Sequence, residues 1–231
     1  MKFNGTDASS KNVYVNTYPP IVRPAETIEI VRVPGRSTDL TLVNSETVYE
    51  PYTKEVECTM TPSGSVATVA GWLKGKGDLV LMNDSTYAYD ARIVDEIVFE
   101  PIVRGRSHRR FIVPFYVQPF KKYATEESNI VKTTTPASVT NPGTVNSRPM
   151  LWIEGSGNVT LAIGQYLLSI TGLSGAIIID SELGMAQNST QTANLGYMVS
   201  GDWPLLVPGV NAISWTGTVT KLSIKPRWRF L

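Results

Sequence analysis

Polar and apolar residues alternate through Glu26-Thr27-Ile28-Glu29-Ile30-Val31-Arg32-Val33, and the run closes on Pro34-Gly35. This predicts a half-buried strand entering a turn, and Asp39-Leu40-Thr41-Leu42 resumes the alternation. The same period of two predicts a strand over residues 52–60 and a hairpin about Gly105, with residues 95–100 and 110–117 as its arms. One segment changes period. Residues 65–74 follow Pro62-Ser63-Gly64, place Val66, Val69, Trp72 and Leu73 on one face and stop at Gly75, which predicts a short helix before the strand over 77–82.

The second half reads differently. Its apolar runs (151–153, 159–163, 166–170, 176–179, 212–215 and 220–224) are short and divided by glycine or proline. Many short strands with turn residues between them predict a β-sandwich or jelly roll, so the fold class is all-β with one short helix.

Charge divides the chain at the same place. Residues 1–132 hold 16 basic and 16 acidic side chains, and residues 133–231 hold the remaining 5 and 4 of 21 and 20. The step coincides with the Thr/Ser/Pro/Gly stretch 133–143, which predicts a linker between a domain over 1–132 and a domain over 144–231. The near balance of total charge points to neither nucleic acid nor an anionic membrane as partner. The start of the chain turns polar too soon for a secretory signal, and no apolar run is long enough to cross a bilayer as a helix, so the expected site of synthesis is the cytosol.

Candidate chemistry is sparse. Cys58 falls on the apolar face of its strand with Val56 and Met60 and reads as a buried hydrophobe, and the single histidine, His108, sits among arginines. One cysteine and one histidine exclude a structural zinc site, and no phosphate-binding loop or dinucleotide fingerprint occurs. No metal, cofactor or enzymatic activity is expected. Asp180 and Glu182 could in principle form an acid/base pair, but a strand end entering a polar turn explains them as well. Arg104, Arg106, His108, Arg109 and Arg110 form the strongest charge cluster, read either as a solvated hairpin tip or as a subunit or partner interface. Of the tryptophans in the second half, Trp152, Trp215 and Trp228 fit core positions in strands. Trp203, in Gly201-Asp202-Trp203-Pro204, is the candidate glycan contact.

A set of short segments in order along nearly the whole chain resembles the distal tail protein family of long-tailed, non-contractile phages of Gram-positive bacteria. The segments are Phe3-Asn4-Gly5, Arg32-Val33-Pro34-Gly35-Arg36, Tyr49-Glu50-Pro51-Tyr52-Thr53, Trp72-Leu73-Lys74-Gly75-Lys76-Gly77, Ile179-Asp180-Ser181-Glu182 and Pro226-Arg227-Trp228-Arg229-Phe230-Leu231. The resemblance implies an N-terminal β-barrel-like or sandwich-like domain that closes a hexameric ring, and a C-terminal galectin-like jelly roll. It implies a hub at the virion tail tip, assembled in the host cytoplasm, that joins the tail tube to a tail fibre or tail-associated lysin and leaves a channel for DNA. A receptor-binding protein is a further possible partner. The competing reading is a carbohydrate-binding adhesion module in the second domain. The chain lacks the long insertion that adds such a module in some members of the family.

Overall fold

The strand over residues 52–60 forms within its expected bounds in the computed structural model, which describes residues 1–42, 47–102 and 107–231. Contacts divide the chain into two compact units, Met1–Ala124 and Thr125–Phe230. In chain order the first unit forms β1 (Lys2–Phe3), β2 (Thr6–Asp7), β3 (Val13–Thr17), β4 (Glu29–Val31), β5 (Leu40–Leu42), β6 (Tyr52–Met60), α1 (Val66–Trp72), β7 (Lys76–Val80), β8 (Tyr87–Ile93), β9 (Glu100–Pro101) and β10 (Arg109–Tyr123). Eight of these strands make one antiparallel sheet in the order β2-β1-β7-β8-β10-β6-β3, with β9 added on β10.

Alternation decides which face is buried. Val56, Cys58 and Met60 of β6 and Phe111, Val113, Phe115 and Val117 of β10 line the inner face, each almost wholly buried. Burial of each large side chain contributes roughly 1.5–3 kcal/mol relative to exposure. Phe3 packs against Phe115 and Phe99 against Phe111, with ring centroids 5.3 and 4.7 Å apart. The predicted helix forms over a slightly shorter span. Val69 and Leu73 enter the core, and the Trp72 indole N–H donates to the Phe3 carbonyl at 3.2 Å. The opposite face is polar. Arg110–Glu57, Lys122–Asp78 and Lys76–Asp90 pair at 2.6, 2.8 and 2.8 Å, so part of the charge of this half is matched within the unit.

One expectation changes here. Of the predicted hairpin arm 95–100, only Glu100 is in a strand, and it pairs with Arg110 as part of β9, while Phe99 and Ile97 pack against the core without strand pairing. Burial of apolar side chains does not require a ladder, and the alternation there reflects burial alone. The tip about Gly105 lies outside the described residues.

The second unit contains β11 (Ile130–Lys132), β12 (Ala137–Asn141), β13 (Met150–Ile163), β14 (Tyr166–Asp180), β15 (Met185–Asn188), β16 (Val199–Gly201) and β17 (Gly209–Lys225). The short runs of the sequence are halves of three long strands. The first half of β13 pairs with the second halves of β14 and β17, flanked by β15 and β11; its second half pairs with their first halves, flanked by β16 and β12. Two five-strand leaves therefore share three continuous strands. Register shifts mark the passage from one leaf to the other.

Glycine makes that passage possible. At Gly217, φ is +85° and an added Cβ would lie 2.2 Å from the Asn158 carbonyl oxygen; at Gly155 it would lie 2.1 Å from that of Thr218. The glycines that look like strand ends are bulges where neighbouring backbones close in. Gly217→Ala should cost about 2 kcal/mol or more, from φ strain and the carbonyl clash together. Chemical denaturation of the full chain would measure it, and a loss below about 0.5 kcal/mol would contradict this role.

The segment 133–143, expected as a linker, carries β12, which pairs with β17 from Ala137↔Ile213 to Asn141↔Gly209. Thr, Ser and Val suit a strand, and Pro136 and Pro142 bracket it without interrupting it. Asn141 is buried, donates to the carbonyls of Val145 and Leu206 and accepts from the Gly143 N–H.

Candidate functional site

Several exposed apolar side chains of the first unit lie together on a two-stranded ribbon. Among the described residues β4 and β5 pair only with each other, and the ladder continues through the Thr27 N–H to the Val48 carbonyl and the Glu50 N–H to the Ala25 carbonyl. The turn residues Pro34-Gly35 close it, as the sequence predicts, with Gly35 at φ +84°. Ile28, Ile30, Val31 and Val48 on this ribbon are exposed, Ile30 by 62%. A two-stranded ribbon with open edges and apolar side chains in solvent is marginal by itself and suits contact with another chain.

The basic cluster is only partly visible. Arg104 and Arg106 lie outside the described residues. His108 and Arg109 are half-buried, and Arg110, at the start of β10, pairs with Glu57 across the sheet.

Asp180 and Glu182 meet two arginines from the C-terminal segment. Asp180 ends β14 almost buried, and both its oxygens accept from Arg227, at 2.7 and 2.8 Å. Its Oδ1 also accepts the backbone N–H groups of Glu182 and Leu183. Glu182 accepts from Arg229 at 2.7 Å and Arg227 at 3.3 Å. Burial raises the pKa of Asp180, but the Arg227 guanidinium and the two backbone donors outweigh it and hold the carboxyl below its ordinary value. Both carboxylates are thus engaged in ion pairs, which suits a clasp for the C-terminal segment. The segments 179–182 and 226–231, far apart in sequence, form one structural feature.

Cys58 lies in the core opposite Phe111, and burial pushes its thiol up to about 12. No group of three or more His, Cys, Asp or Glu side chains suited to a metal ion occurs among the described residues.

Trp215 and Trp228 are buried, as expected. Trp152 is not a core residue: it stands half-exposed on the face of β13 opposite Leu151 and Ile153, because the alternation puts those two inside. Trp203 is half-buried, with its indole beside the Gly184 turn. Elsewhere on this unit, Glu154, Gly155, Ser156, Gly175, Ala176 and Thr220 line an open depression of about 460 Å³, where Glu154 is paired with Lys221 at 3.0 Å.

No family model and no curated protein matches this chain. Among solved structures, the SPP1 Dit protein (gp 19.1) matches with a TM-score of 0.77 at 13% identity, over 99% of this chain and 98% of that one. It is described as a paradigm of the hub adsorption apparatus in phages infecting Gram-positive bacteria. The phage p2 baseplate, in its activated conformation with Sr, matches with a TM-score of 0.49 at 8% identity, over 96% and 93% of the two chains. The all-β fold of this chain is therefore that of the SPP1 Dit protein along its whole length.

Proposed function

We propose that this chain is a structural hub of a phage tail tip. In this reading the first unit closes a ring of six copies between the tail tube and a tail fibre or tail-associated lysin, and the ring leaves a channel for DNA. The virion tail tip is its destination and the bacterial cytoplasm its place of assembly. The observation that carries the reading is the match to the SPP1 Dit fold over both chains almost in full, which leaves no large segment of either unaccounted for. The open ribbon supports assembly independently of that likeness. Open edges and exposed apolar side chains call for a partner, and cyclic head-to-tail contacts cover them without open-ended growth. The number six rests on the family resemblance.

A sugar-binding role for the second unit has less support, since Trp215 and Trp228 are buried, and the half-buried Trp203 has its indole against the Gly184 turn. The test is negative-stain imaging with light scattering on the full chain at high concentration, across a range of salt, alone and with a tail-tube protein. Closed rings with a central opening are expected. If only monomers or irregular aggregates form under every condition, the hub reading fails.

A further inference from the structure

Two exposed apolar surfaces of the first unit are rooted near opposite ends of β10. The β4–β5 ribbon belongs to the C-terminal end: Glu26 and Tyr49 form a β-bridge at its base, and the Tyr49 ring packs edge-on against Phe120 with centroids 5.7 Å apart. The segment 94–102 belongs to the other end, where Glu100 pairs with Arg110. From Arg110 to Phe120 the strand runs about 33 Å, at about 3.3 Å per residue.

The two surfaces are both apolar and carry opposite charge. On the ribbon, the exposed Ile28, Ile30, Val31 and Val48 lead to a basic turn end. There Arg36 is exposed with no ion pair among the described residues, and Arg32, its side chain 90% exposed, reaches Asp39 at 3.9 Å. On the segment 94–102, Ile97 and Phe99 turn to the core, which leaves Val94, Val98 and Ile102 in solvent, each at least 50% exposed. Asp95 and Glu96 are exposed beside Val94, with no ion pair among the described residues. Arg110, across the β9 ladder from this segment, is already paired with Glu57 at 2.6 Å. Neither surface suits a copy of itself. Ribbon against ribbon brings arginines together, and segment against segment brings carboxylates together, so charge disfavours two-fold pairing and favours head-to-tail contact.

We propose that the β4–β5 ribbon of one copy seats on the segment 94–102 of the next, its isoleucines against Val94 and Val98 and its Arg32 and Arg36 toward Asp95 and Glu96. This deepens the ring reading above and rests on it for the occupant, a second copy of this chain. Burial of the apolar side chains supplies the affinity, and the charges select the partner surface and the direction. Because the two surfaces are rooted at opposite ends of one strand, a copy engaged through its ribbon keeps its other surface open for the next copy.

The test is charge reversal in the full chain, read by sedimentation velocity and negative-stain imaging. One variant carries Arg32→Glu with Arg36→Glu, the other Asp95→Lys with Glu96→Lys; all four side chains are exposed, and circular dichroism checks that both variants fold. Each variant alone should self-associate about ten-fold or more weakly than the parent, and an equimolar mixture should return to within about three-fold of it, because every ribbon then meets an opposite charge. If the parent forms rings and the mixture is no stronger than the separate variants, the proposal is overturned and the hub reading stands. A variant of either kind that assembles alone as the parent does also overturns the proposal. Restored association in the mixture, with open chains in place of rings throughout, supports the contact and overturns the ring. A parent chain that never self-associates overturns both.

Discussion

Arg227→Ala is expected to lower the unfolding free energy of the chain by about 3 kcal/mol, because it leaves the Asp180 carboxylate buried without its cation. The Asp180 side chain is 5% exposed and makes two short hydrogen bonds to this guanidinium, so the pair is unlike the surface pairs of the first unit, each worth well under about 1 kcal/mol. The two backbone donors to Asp180 remain in the variant and limit the loss. Asp180→Asn in the Arg227→Ala background should restore at least half of it, since the amide carries no charge to desolvate. The pair also sets a pH dependence. The folded-state pKa of Asp180 lies below its ordinary value. Its contribution is therefore present at neutral pH and lost as pH falls from about 4 through that depressed value. Denaturant titrations at pH 7 and pH 3 should show a smaller acid loss in Arg227→Ala than in the parent. An equal loss in both, or a destabilisation under about 0.5 kcal/mol, would show the clasp to be unimportant.

The second large effect is on assembly. In the proposed assembly, Ile28→Asp with Ile30→Asp should abolish the ring and leave the monomer folded, since both side chains are exposed on the ribbon and carry little core burden. An isoleucine buried at a subunit contact is worth roughly 1.5–3 kcal/mol, and a charge placed there loses that and adds a desolvation cost. The loss is about ten-fold or more in affinity per contact, and a closed ring repeats it at every junction. Sedimentation velocity against circular dichroism separates the two properties. A double variant that assembles as the parent does would remove the ribbon from the interface.

Much of this fold was legible where one period held over many residues. β6 kept its bounds and the Pro34-Gly35 turn closed its ribbon, because alternation and turn chemistry act locally. The second unit was legible in class but not in connection. Gly155 and Gly217 read as punctuation, yet each is glycine because a carbonyl of the neighbouring strand leaves no room for Cβ, and only pairing across the sheet reveals that. β12 was missed for a related reason: its composition suits a strand as well as a linker, and its partner begins about 70 residues later. Asp180 and Glu182 were visible as a pair, but their partners, Arg227 and Arg229, come from the far end of the chain.

The continuity of β13, β14 and β17 through both leaves has a further consequence, for the way the second unit opens. A sandwich whose leaves are built from separate strands can open one leaf while the other persists. Here, releasing the leaf that contains Leu151 and Ile153 also frees the bulges that set the register of Leu161 and Ile163, so the leaves are coupled through the chain itself. Amide protons of 151–153 and 161–163 should then exchange through a single opening with one free energy, even though they lie in different leaves.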